Sequence, residues 1–163
     1  MRVLSYMIEA HIIRQIGKEI EFLLLKRAES EIYPNIWQMV TGSISQDEKT
    51  YVTAYREIIE ETGMKPEKLW IVPYVNSFYS WRRNHICMVP VFVAQVDSKS
   101  KVIISNEHSE FQWVDKSTAN KLLAWQGQRN SVEIIYEHFT NQNSQLNFEE
   151  IRTNKIVLDQ IKK

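Results

Sequence analysis

Thr50-Tyr51-Val52-Thr53-Ala54-Tyr55-Arg56-Glu57-Ile58-Ile59-Glu60-Glu61-Thr62-Gly63-Met64 is the stretch on which the rest of the chain turns. At about 100° per residue, Tyr51, Val52, Tyr55, Ile58 and Ile59 fall on one side, so the spacing predicts an amphipathic helix over residues 50–62. Thr50 or Asp47 can cap its start, Gly63 suits the left-handed position past its last turn, and Pro66 forbids continuation. Glu57, Glu60 and Glu61 stand at i, i+3 and i+4 within an arc of roughly 100°, opposite the apolar side. Like charges at that spacing weaken a helix, and negative charge in its C-terminal half opposes the dipole. A hard divalent cation removes the conflict, because Mg²⁺ takes oxygen ligands and shares itself with substrate phosphates. Arg56, flanking this face beside Glu60, can neutralise part of it or orient a carboxylate. The plain alternative is a solvated acidic face with Arg56 as a surface ion-pair partner.

On the N-terminal side, Val3 to Ile13 reads as a strand whose apolar pattern is interrupted by Glu9 and His11. Gly17-Lys18 reads as a turn, Phe22 to Leu25 as a buried strand, and Ser30 to Asn35, with Pro34, as a loop. Ile36 to Val40 is a short strand, after which Gly42 opens a polar loop. On the C-terminal side, Leu69 to Tyr79 and Ile86 to Val96 are strand candidates. Asp97 to Ser109 is a loop with a short strand possible at Val102 to Ile104, and Phe111 to Val114 is a strand. Ser117 to Leu123 and Ser131 to Phe139 read as helices, Asn141 to Asn147 as a polar link, and residues 148–161 as a possible terminal helix. Strands, one strong helix, more strands and then helices describe an α/β (α+β) chain, a mixed sheet with helices packed on it. No repeat, low-complexity tract or second domain interrupts residues 1–163.

The 163 residues suffice for one core, with a 44% hydrophobic and 25% charged composition ordinary for a globular protein. Twenty Lys plus Arg balance twenty Asp plus Glu, so nothing favours non-specific binding of nucleic acid or of an anionic membrane. An anionic ligand must be held by local charge or by a metal. Cys87, the single cysteine, has no internal disulfide partner and reads as a buried apolar side chain. Glu9 and His11 break any signal-peptide pattern, and no run approaches the ~18 apolar residues of a membrane span. A cytoplasmic protein without a membrane segment is expected.

Wider spacing sharpens the helix reading. Gly42 is followed by five residues, Glu48, seven residues, and then Arg56-Glu57-Ile58-Ile59-Glu60-Glu61-Thr62-Gly63-Met64. This resembles the Nudix box, with every defining position filled and Ile58 and Met64 in its two aliphatic slots. Seven fixed residue types at ordinary usage make a chance match of order one in 10⁸ per starting position. The resemblance implies a Nudix fold over residues 1–163, a mixed β-sheet sandwiched between α-helices, with the box at 42–64. It implies Glu57, Glu60 and Glu61 as metal ligands or base, Glu48 as a holder of the metal or of Arg56, and Gly42 as the residue that lets the loop turn tightly beneath the metal. The implied cofactor is Mg²⁺, for which Mn²⁺ can substitute. Thr41, Ser45 and Asp47 depart from the commonest loop residues, at variable positions of the box.

Outside the box, Trp37-Gln38-Met39-Val40-Thr41-Gly42-Ser43, Asn106-Glu107-His108 with Phe111-Gln112-Trp113-Val114-Asp115, and Gln128-Arg129-Asn130-Ser131 resemble the dihydroneopterin triphosphate and dATP pyrophosphohydrolase branch. That similarity implies Glu107 as a distal acid at the metal or attacking water, and Arg27 as a clamp on a substrate phosphate. Thr41 can hydrogen-bond substrate. Trp37 either stacks on a base or pterin ring or belongs to the core. Arg82, Arg83 and His85 either meet substrate phosphates or form a polar hairpin tip, and Tyr79 and Trp81 next to them can form part of a ring-binding wall. His108 is either a packing or surface residue or a base.

The expected activity is Mg²⁺-dependent hydrolysis of a nucleoside or pterin triphosphate to monophosphate and pyrophosphate. The small-molecule substrate is the expected partner, and a homodimer is left open. One alternative is another nucleoside diphosphate derivative as substrate: a diadenosine polyphosphate, a nucleotide sugar or a capped RNA. The other is a non-catalytic nucleotide-sensing domain, although such domains often lose box glutamates and this chain keeps them all.

Overall fold

The computed structural model describes residues 1–161, with the side chains of Leu158 and Ile161 set aside. Its strands are β1 (Arg2–Leu4), β2 (Met7–Ile16), β3 (Glu19–Arg27), β4 (Trp37–Gln38), β5 (Val40–Ser43), β6 (Lys68–Ser80), β7 (His85–Gln95), β8 (His108–Val114) and β9 (Glu149–Ile151). Its helices are α1 (Thr50–Thr62), α2 (Lys116–Leu122), α3 (Gln126–Thr140) and α4 (Thr153–Ile161). The strands join one mixed sheet. β2 runs parallel to β7 and antiparallel to β3, β6 is antiparallel to β7, β9 edges β6, and β8 edges β3.

The period-2 alternation of β2 sorts the core into two layers. Ile8, Ala10 and Ile12 pack with Val52, Ala54, Tyr55 and Ile58 of α1 and Ile156 of α4. Ile13, with Phe22 and Leu24, packs with Ala119 of α2 and Val132 and Ile135 of α3. Helices therefore cover both faces of a mixed sheet, as expected.

One departure in topology creates the site. β2 pairs with β3 only through Ile13–Ile16, and its other end, Met7–Ala10, pairs with β5. On β3, Leu25 and Lys26 pair with β4. The two strands splay, and the chain crosses the gap at Met39, from the edge of β3 to that of β2. The single strand expected over 36–40 is thus two, and Gly42 lies inside β5 rather than opening a loop.

Other boundaries differ from those expected. The strand expected from Val3 to Ile13 breaks at Ser5-Tyr6, where its pairing with β7 shifts register by one residue between Leu4↔Cys87 and Glu9↔Val91. Neither Asp47 nor Thr50 caps α1: Lys49 occupies the N-cap without a side-chain bond, and Asp47 takes the loop's left-handed turn at φ 62°. Gly63 does close α1, at φ 68°, with its N–H on Ile59 O. Ile59, expected on the buried side, is exposed at the rim of the helix, while Glu61 is buried. Residues 102–104 form no strand, because Ile103 N–H instead bonds Thr62 O at the end of α1. The terminal segment begins as β9 before turning into α4. Among the described residues no helix is long and apolar enough to cross a membrane.

Candidate active site

α1 lies against β5 so closely that a Cβ on Gly42 would sit 2.2 Å from Cγ of Glu57. Glycine is required there because a carboxylate side chain occupies the space, not because the backbone turns: Gly42 is absent from the positive-φ residues among those described. The sharp turn expected at Gly42 falls at Asp47 instead.

Arg56 organises the acidic face. Its Nε and Nη2 donate to the two oxygens of Glu48, both at 3.0 Å, while Nη1 donates to Glu57 at 2.7 Å and Glu60 at 3.0 Å. Glu48 is buried and also accepts from Thr53 Oγ1 at 2.7 Å and Ser45 N–H at 3.3 Å. Of the two roles the resemblance allowed Glu48, holding the arginine is the one its geometry displays. Glu60 has a half-exposed side chain, shares Arg56 Nη1 with Glu57, and lies outside the group formed by Glu61, Glu107 and His108.

The converging groups come from two places. Glu61 is buried on the last turn of α1, and Glu107 and His108 arrive at the start of β8. One ligand atom from each of these three lies within 4.8 Å of the others. His108 is neither a surface nor a plain packing residue: its Nε2 is 2.9 Å from Oε2 of Glu61, with both side chains buried. Backbone bonds hold the loop to the helix, from Ser105 N–H to Glu61 O and from Ile103 N–H to Thr62 O, while Ala28 N–H bonds Glu107 O.

Burial pushes the Glu61 carboxyl up to about 7, against the pull of His108, and the charges of Glu57 and Glu107 add to the rise. Glu57 is raised too, mainly by desolvation, with Arg56 opposing and Glu60 and Glu107 adding to it. Carboxylates that are desolvated and mutually repelling, with oxygens as the donor atoms, fit a hard divalent cation. Glu61, Glu107 and His108 form the group whose ligand atoms could hold one, with the charge of Glu57 acting on Glu61 beside them.

The remaining candidates differ in placement. Arg27 lies cross-strand from His108, and its side chain bonds its own loop, with Nε on Ile32 O at 2.6 Å and Nη2 3.6 Å from Glu31. Trp37 is half-buried against the α2–α3 core, with Lys26 Nζ 5.9 Å from its ring centroid. Thr41 is half-buried on β5, cross-strand from Glu9. Tyr79 and Arg82 are exposed on the β6–β7 hairpin, where Tyr79 donates to Asn84 and Arg82 lies over Trp81. Glu9, which interrupts β2, is buried and paired: His11 Nε2 is 2.7 Å from Oε1 and Asn76 Nδ2 3.2 Å from Oε2. The alternation of β2 flags this pair as anomalous, but its partner Asn76, 67 positions away, leaves no signal nearby.

Comparison with known proteins agrees with this arrangement. Residues 7–134 match the NUDIX domain. The chain is similar to an octanoyltransferase of Myxococcus xanthus, at 31% identity over 72% of this chain but only 32% of that protein, so it spans about a third of that relative's length. It is 28% identical to a dihydroneopterin triphosphate diphosphatase of Haemophilus influenzae, over 73% of this chain and 78% of that one. Among solved structures, a protein of Listeria monocytogenes described as a NUDIX hydrolase superimposes with a TM-score of 0.73 at 23% identity, covering 86% of this chain and 97% of the other.

Proposed function

The chain belongs to the NUDIX family, and from that premise we propose that it is a Mg²⁺-dependent pyrophosphohydrolase converting a nucleoside or pterin triphosphate into its monophosphate and pyrophosphate. Its hydrolysis of phosphoanhydride bonds in nucleotide derivatives follows from the family. The observation that carries the rest is the convergence of Glu61 with Glu107 and His108 beside a Glu57 packed on Gly42. The finer substrate reading is supported by the Trp37-to-Ser43 run and by the likeness to the Haemophilus influenzae protein. A cytoplasmic location, small-molecule partners and a single catalytic domain complete the proposal.

A bound divalent cation, Mg²⁺ or Mn²⁺, would supply charge neutralisation on the phosphates and a more acidic water. Glu57, Glu61 and Glu107 would hold it. Arg56 restrains Glu57 from one side while Gly42 leaves room for it on the other, so that carboxylate is oriented before substrate arrives. A carboxylate of this set takes the proton of the attacking water. The water oxygen forms the new bond to phosphorus, the bridging P–O bond breaks, and its electrons leave with pyrophosphate.

Product identification from a pool of dihydroneopterin triphosphate, dATP, diadenosine tetraphosphate and a nucleotide sugar, with Mg²⁺, tests the proposal. Pyrophosphate and a monophosphate from the first two are expected. Preferential cleavage of either of the others would overturn the substrate reading. Thermal stabilisation by these compounds without any turnover would make the chain a nucleotide sensor instead.

A further inference from the structure

We infer that His108 is a positioning residue that sets the divalent-metal affinity of the site by locking the carboxylate of Glu61. The inference rests on the reading of Glu57, Glu61 and Glu107 as metal ligands; His108 stands in the same group, but its Nε2 is committed to Glu61, and it is assigned the positioning role on that contact.

The geometry is constrained at both ends. Glu61 rises from the last turn of α1, where the carbonyls of Glu61 and Thr62 accept backbone bonds from Ser105 and Ile103. His108 is mounted on β8 opposite Arg27, next to the register shift between Lys26 and Arg27. That irregularity re-aims side chains at the end of the ladder, and here it accompanies an imidazole buried at 5% exposure and directed at a carboxylate on a different element. With an ionised Glu61, Nε2 must carry the hydrogen and donate to Oε2, since a carboxylate only accepts. Nδ1 is buried and has no hydrogen-bond partner among the described residues. In the neutral ring it is then the bare acceptor, a lesser penalty than a buried N–H with no acceptor.

A single donor at Oε2 fixes the plane of the carboxylate and leaves Oε1 without a protein donor among the described residues. Without it, the side chain would be free to turn away from Glu57 and Glu107, whose charges repel it. Residues one shell beyond a metal typically govern its affinity by about 10- to 100-fold. His108 also follows Glu107 directly, so the anchor that holds Glu61 fixes the backbone carrying the distal acid.

The experiment is a Mn²⁺ titration followed by electron paramagnetic resonance of the free ion, with no substrate present. It is applied to the full chain and to His108→Leu, His108→Asn and His108→Gln. Leu fills the space without a donor, Asn is too short to reach Glu61, and Gln carries an amide N–H at about the reach of Nε2. Mn²⁺ affinity is expected to fall about 10- to 100-fold in the Leu and Asn variants and to return to within about threefold of the starting value in Gln. The apparent Mg²⁺ constant for hydrolysis should rise in parallel, with kcat recovered at saturating metal. Unchanged Mn²⁺ affinity in a folded Leu or Asn variant would overturn the inference, whatever happened to Tm. An equal loss in all three would also overturn it, since burial volume rather than the donor would then be responsible. Failure of the unmodified chain to bind Mn²⁺ would instead strike the metal reading itself, and the inference with it.

Discussion

A methyl group on Gly42 would lie 2.2 Å from Cγ of Glu57 and 2.6 Å from its Oε1, so β5 and the carboxylate cannot both keep their places if position 42 carries a side chain. Gly42→Ala should leave the fold intact and expel Glu57 from its position. Displacing a reacting group by about 1 Å costs on the order of 100-fold in rate, and kcat is expected to fall by at least that. Circular dichroism and steady-state kinetics check this together. A folded Ala variant with wild-type kcat would show that Glu57 does not act where it is seen.

Glu57→Gln and Glu61→Gln should each abolish turnover while preserving the fold. The amide retains the shape but carries no charge for a cation, and it cannot take a proton from water. Full activity in both variants would rule out the carboxylate mechanism.

The metal-free protein should grow less stable as pH rises through the range set by Glu61. Its carboxyl is pushed from the ordinary 4.5 up to about 7, chiefly by burial. Between those values the folded state keeps a proton that the unfolded chain has released, so ΔG of unfolding decreases with pH there. Below the window both states are protonated and the penalty is absent; above it the penalty is complete. Tm of the metal-free wild type should therefore drop from about pH 4.5 to about pH 7 more steeply than that of Glu61→Gln, with Mg²⁺ restoring it at the upper end. Parallel profiles for the two proteins would contradict the assignment.

Arg56 is the structural keystone of the acidic face, because Glu48 has no exposed side-chain surface and accepts from it twice. Arg56→Ala strands a buried carboxylate and should cost on the order of 3 kcal/mol. Lys should recover less than half of that, since a point charge cannot span Glu48, Glu57 and Glu60 as the planar guanidinium does. Urea unfolding of the three proteins measures it; equal midpoints would mean that the network is slack.

On the other face of the sheet, Glu9→Ala would deprive both His11 and Asn76 of their acceptor. A loss of about 1–3 kcal/mol is expected from the unpaired donors, with Glu9→Gln milder because one acceptor oxygen remains. The measurement is again a denaturant midpoint, and a neutral Ala variant would place the pair in contact with water.

The helix over 50–62 could be read from residue order because its information is local: apolar spacing, a glycine able to close it, a proline beyond. Site positions in the box shared that property, and Glu57, Glu61 and Arg56 stand where the spacing put them. The misplaced features depend on distant partners. The Val3–Ile13 strand breaks where its pairing with β7 shifts register by one residue, and residues 102–104 bond the end of α1 instead of a strand.

Residue order alone determined the family, the helix and the identity of its acids, since one element carries them at fixed spacing. Only the tertiary structure decided which acids act together. It assigned Glu48 to Arg56, left Glu57 and Glu60 sharing one Arg56 nitrogen, and brought Glu107 and His108 across 46 and 47 positions to Glu61. Convergence of that kind depends on the splay of β2 from β3 and on the loop bound to the end of α1, both long-range pairings that no local pattern encodes.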